Sequence, residues 1–111
     1  MRPFKRFDVV AVPFPYTDRP IHQRRPALIV SSDDVHSKHG LLWVLMITSA
    51  ENRRWSDDVP IDDVRLAGLP IPSVIRPAKV ATVEAREVEV RGRVTPKVRR
   101  AVSAVLRRYM L

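Results

Sequence analysis

The sequence predicts a mainly β protein, a small and strongly bent antiparallel barrel finished by one helix. Three observations carry this. Short apolar segments with strand character follow one another through brief connections. No helical pattern alternates with them, which argues against a doubly wound parallel sheet. The one sustained spacing of three and four comes at the end, in Val98, Ala101, Val102, Val105, Leu106 and Tyr109.

The elements follow in order. Asp8 to Phe14 is nearly all apolar and reads as a first strand, with Pro13 at a sheet edge or bend. Pro15 to Arg24 reads as a basic loop. Pro26 to Ser32 reads as a second strand that begins at its proline, with Arg24 and Arg25 at its mouth. Asp33 to Gly40 is a polar connection with room for one helical turn. Leu41 to Ser49 is the most hydrophobic strand, so both of its faces need cover. Glu51 to Asp58 is a charged loop, Val59 to Ile61 a short strand, and Leu66 to Pro72 a loop broken by Gly68, Pro70 and Pro72. Ser73 to Arg76 reads as a strand ended by Pro77, with a further short strand over Lys79 to Val83. Val88 to Val94 alternates apolar and charged residues as a half-exposed strand does. Thr95-Pro96 then supplies a capping side chain and a first-turn proline for the terminal helix.

At 111 residues the chain fits one domain, 1–111. An apolar fraction of 45% is ordinary for a packed core. Lys and Arg number 20 against 12 Asp and Glu, for a formal charge of +8. That excess favours an anionic partner, nucleic acid or an acidic protein segment, over a role in solubility alone. The absence of cysteine removes disulfides, thiolate metal ligands and a thiol nucleophile. His36 and His39 are three apart but lack a clear third ligand, so no metal and no cofactor is expected. Met1-Arg2-Pro3 does not lead into an apolar signal core, and Leu41 to Ile47 is too short to span a bilayer. A cytoplasmic protein is therefore expected.

Several side chains point to phosphate chemistry. A guanidinium fixed next to Pro26 can grip a phosphate with paired donors, so Arg25 is the expected centre of an RNA phosphodiester site. Arg24 and Gln23 flank it, and His22 is the acid/base candidate by its pKa class. A strand-capping arginine bonded to Asp8, and a solvated loop histidine, are the plainer readings of the same residues. Trp55 beside Arg53 and Arg54 suits a base-stacking platform, or an aromatic covering the barrel mouth. Trp43 lies inside the third strand and reads as core or subunit interface.

Taken in order, these pieces resemble one family. Asp8-Val9-Val10-Ala11-Val12-Pro13-Phe14-Pro15, then Arg25-Pro26-Ala27-Leu28-Ile29-Val30-Ser31, are similar to the MazF/PemK toxins of type II toxin–antitoxin pairs. Ile47-Thr48-Ser49, Gly68-Leu69-Pro70, Pro72 to Pro77 and Gly92-Arg93-Val94 before the helix continue the match. The resemblance implies an SH3-like barrel of the MazF/PemK/CcdB type and a homodimer. It implies metal-independent, sequence-selective cleavage of single-stranded mRNA by a neighbouring 2′-OH, leaving a cyclic phosphate and a 5′-OH, and restraint by a cognate antitoxin. The family's catalytic arginine falls on Arg25, its active-site threonine on Thr48, and a second arginine of some members on Arg76, for phosphate or antitoxin contact. Ser49 is placed to share the role of Thr48. There are departures: Phe7 stands where glycine is usual, the first loop carries His22 and Gln23 with Asp18 as its only carboxylate, and Ala78 replaces an aspartate of some members. Related barrels poison DNA gyrase by binding protein. That activity, or RNA binding without cleavage, is the alternative.

Overall fold

A computed structural model describes residues 4–15 and 22–111, with the backbone alone at residues 14, 15, 22 and 23. The strands are β1 (Asp8–Pro15), β2 (His22–Ile29), β3 (Leu41–Ser49), β4 (Val59–Pro60), β5 (Ser73–Glu84) and β6 (Glu89–Arg93). Helix α1 (Asp33–His39) joins β2 to β3, and α2 (Pro96–Met110) ends the chain. The sheet order is β4-β5-β3-β2-β1-β6. Every pairing is antiparallel, and the sheet curls into an open barrel.

Both faces of this sheet are buried, which explains why β1 and β3 read as nearly continuous apolar runs. Val9, Leu28, Leu45 and Ile75 pack under Val98, Val102 and Val105 of α2. Val10, Val12, Ala27, Ile29, Val44 and Met46 form a second core on the other face. The side-chain period of two sends neighbours such as Val9 and Val10 to different cores. The α2 stripe is narrower than expected, since Ala101 and Tyr109 are exposed. Its start is as read: Thr95 Oγ1 accepts from the Val98 N–H at 3.3 Å. No helix among the described residues is long and apolar enough to cross a membrane.

Two strands run further than their prolines suggested. β2 starts at His22, so Arg24, Arg25 and Pro26 lie within it, opposite Pro13, Val12 and Ala11 of β1. Pairing of β2 with β3 begins only at Ala27–Met46, so among the described residues Pro26 has no ladder partner on that side that would need its missing N–H. β5 likewise continues through Pro77. Met46 pairs with Arg76 but Leu45 pairs with Val80, so Pro77, Ala78 and Lys79 bulge out of the ladder.

Phe7 has φ 75°, the left-handed region that glycine enters without strain, which gives a conformational reason for the glycine that the resemblance leads one to expect there. In its place the Phe7 ring packs against the α2-side core, and its N–H donates to Ile29 O at 2.7 Å. Gly92 answers a different need. A Cβ there would stand 2.2 Å from Leu66 O and 2.6 Å from Ala67 C, both backbone atoms that cannot swing away. Gly92→Ala is therefore expected to lower stability by about 3 kcal/mol, read from urea unfolding, by forcing the Leu66–Gly68 turn off β6.

Candidate functional site

Beyond the Ala27–Met46 pair the β2–β3 ladder stops and the two strands separate. Two positions further along each strand stand Arg25 and Thr48. The alternation of strand side chains puts both on the face of Ala27 and Met46. Arg25 is half-buried with its Nε enclosed, so its side chain is held at the root. Thr48 pairs with Val74 of β5, and its Oγ1 accepts from Asn52 Nδ2 at 2.5 Å. With that lone pair in use, the hydroxyl proton is directed elsewhere, ready to donate to a second oxygen.

Arg76 arrives at the same end of the same face, opposite Met46. Its guanidinium is already engaged. Nε donates to Asp58 Oδ1 at 3.1 Å and Nη2 to Asp58 Oδ2 at 2.9 Å. Nη2 also donates to Arg53 O at 2.7 Å. The residue is 8% exposed and its partner Asp58 6%. The carbon of the guanidinium lies 4.3 Å from the ring centre of Trp55. Burial would raise the Asp58 pKa, but hydrogen bonds from Arg76 and the Trp55 N–H, with the charges of Arg76 and Arg54, outweigh it and lower it. A guanidinium so committed fastens the 53–58 loop and is not the open phosphate contact expected of it.

The other expected site residues are distributed as follows. Arg53, Arg54 and Trp55 are exposed on that loop, next to Thr48 in the chain. Ser49 points to the opposite face from Thr48, and its Oγ accepts from the Glu51 N–H at 3.2 Å, so it closes the turn. Arg24 also points away from Arg25. Its Nη1 donates to Glu87 O at 3.0 Å and Ala11 O at 3.4 Å, tying β2 across β1. The side chains of His22 and Gln23 lie outside the described residues, as does Asp18. Arg25 stands opposite Val12 of β1, four positions along the strand from Asp8. His36 meets the Phe4 ring edge-on at 5.3 Å, and among the described residues no three carboxylates or histidines cluster for a metal.

Residues 5–110 match the family model described as PemK-like, MazF-like toxin of type II toxin–antitoxin system. The chain belongs to that family. A search of curated proteins finds no match. Among solved structures, this toxin resembles MazE–MazF from Deinococcus radiodurans at 18% identity, with a TM-score of 0.80 over 98% of this chain and 97% of that one. It resembles an endoribonuclease in complex with its cognate antitoxin from a mycobacterial species at 18% identity, TM-score 0.71, over 96% and 91% of the two chains. Mycobacterium tuberculosis toxin MazF-mt6 matches at 24% identity, TM-score 0.65, over 80% and 89%. At such identities the likeness concerns the fold.

The sequence reading missed two residues of the site, Asp58 and Asn52. Asn52 sits four residues after Thr48 on a turn, a spacing with no one-dimensional signature. Asp58 was visible only as one of two loop aspartates.

Proposed function

We propose that this toxin is an endoribonuclease that cuts single-stranded mRNA through the substrate's own 2′-OH. The observation that supports it is the meeting of Arg25 and Thr48 on one face where β2 and β3 part. The 2′-OH attacks the adjacent phosphorus and the bond to the 5′-oxygen breaks, leaving a cyclic phosphate and a 5′-OH. Charge develops on the non-bridging oxygens. Arg25 meets it with paired N–H donors, and Thr48 adds a hydroxyl donor to one oxygen. Because the RNA supplies its own nucleophile, the protein's task is electrostatic stabilisation and proton transfer, with His22 as the acid/base candidate. Arg53 and Arg54 would hold flanking phosphates.

These cations also suit a cognate antitoxin, whose acidic and apolar segment would compete with RNA for them. Homodimerisation is part of the same reading. Trp43 and Val80, 43% and 60% exposed, are diagonal neighbours on one face of the β3–β5 pair, and a second copy would cover them. The toxin then acts in the cytoplasm, where mRNA is.

Incubating the purified toxin with a long RNA in EDTA tests the reading. Discrete cuts bearing cyclic phosphate and 5′-OH ends are expected. Intact but retarded RNA would mark a binding module instead, and neither effect, with growth arrest on expression, a protein target. Thr48→Val should lower the cleavage rate about a hundredfold at saturating RNA with an unchanged melting temperature.

A further inference from the structure

The loop between β3 and β4 is built more rigidly than a charged surface loop requires. Asp58 Oδ2 accepts from both the Trp55 N–H at 3.0 Å and Arg76 Nη2 at 2.9 Å. Arg76 then reaches Arg53 O, so one buried ion pair holds the backbone on both sides of Arg54. From outside, Asp57 accepts from Arg108 Nη2 at 3.0 Å and from Tyr109 Oη at 2.7 Å, which ties the loop to the end of α2. Asp57 itself has φ 69°, a strained backbone for a residue with a side chain. What all of this fixes is one indole, 43% exposed, on top of a guanidinium that is itself buried. The exposed part of the ring therefore lies away from Arg76, toward solvent.

We propose that Trp55 is a base-binding subsite for an unpaired nucleobase flanking the scissile phosphate, and that Arg76 and Asp58 are its positioning residues. The proposal rests on the RNA-cleaving reading. A flat π-surface held at the end of the face that carries Arg25 and Thr48 accepts any base by stacking, and its fixed orientation lowers the entropic cost of binding. Arg76 lies under the ring, where its cation–π contact and hydrogen bonds keep the indole from turning. Arg76 thus acts on RNA through Trp55, not on phosphate directly.

Trp43→Phe leaves Trp55 as the single fluorescent indole. In that background two probes are titrated, a random-sequence 2′-O-methyl RNA 12-mer and an abasic sugar–phosphate oligomer of equal length. Both deliver phosphates, lack the nucleophile and so survive; only the first delivers bases. The RNA is expected to quench Trp55 emission and to bind about tenfold more tightly than the abasic oligomer. Trp55→Ala, an exposed change that spares the buried pair, should remove that preference, and Trp55→Phe should keep most of it. Arg76→Lys should weaken quenching and raise KM for cleavable RNA about tenfold with a smaller change in kcat. Equal affinity for both probes without quenching would overturn the subsite while leaving RNA recognition intact. A fall in kcat for Arg76→Lys with KM unmoved would overturn the positioning role and return Arg76 to the phosphate. Binding of neither probe would overturn the RNA reading and the subsite with it.

Discussion

Arg25→Ala is expected to reduce RNA cleavage about a thousandfold while leaving the fold intact. The side chain sits beyond the last β2–β3 pair, so its removal leaves the backbone pairing of that ladder untouched. On the proposed mechanism, what disappears is a held guanidinium at the point where negative charge would grow on the phosphorane. Loss of one such preorganised donor costs a factor of about 100 to 1,000, and a cation with two donors stands at the upper end. Arg25→Lys should recover only part of the rate, since an ammonium restores charge without the planar fork. Single-turnover cleavage in EDTA, with circular dichroism as the check on folding, measures both. Cleavage by Arg25→Ala within tenfold of the parent would remove Arg25 from the chemistry.

Much of the fold was legible because its elements are marked locally. β3 was read at its observed bounds, Leu41–Ser49, since a polar connection and a charged loop bracket an unbroken apolar run. α2 was legible from Thr95-Pro96 and the apolar spacing. The two errors of extent share one cause. Pro26 and Pro77 read as strand limits because proline cannot donate to a ladder, yet one lies beyond the end of the β2–β3 pairing and the other inside a bulge. Whether a donor is needed at a position depends on the partner strand, and pairing is not written in either segment alone. β5 therefore read as two strands where it is one.

The geometry of the proposed site was legible only in part. Arg25 and Thr48 were identified separately, and the ladder brings them to one face by an alternation that the sequence already implied. Arg76 was expected to contact phosphate or antitoxin, whereas the structure has its guanidinium bound to Asp58. Its partner, Asp58, lies 18 residues away in sequence, and nothing in the charged run Arg53-Arg54-Trp55-Ser56-Asp57-Asp58 distinguishes the buried carboxylate from the exposed one. Asp57 and Asp58 are adjacent, yet one is tied to α2 at the surface and the other is enclosed beneath Trp55. Tertiary burial made that assignment.

Asp58→Ala should be the most destabilising single change at the site, by about 3–5 kcal/mol, because it leaves the Arg76 guanidinium enclosed without its counter-charge. In a chain of 111 residues that corresponds to a fall in Tm of roughly 15 °C or more. The loss belongs to the abandoned charge more than to the pair itself. Asp58→Leu combined with Arg76→Met should therefore regain much of the stability while still losing the fixed orientation of Trp55. Calorimetry on the single and double variants separates the two contributions, and equal destabilisation in both would show that the pair itself is the source. The same pair sets an acid limit. The folded-state pKa of Asp58 is lowered, so its contribution is fully present above the unfolded carboxyl value and is lost as pH falls through the folded one. The parent toxin should lose stability progressively below about pH 4, where unfolded aspartates begin to take up protons. In the double variant that part of the acid dependence should be gone, and Tm measured from pH 6 down to pH 2 should fall less steeply than in the parent.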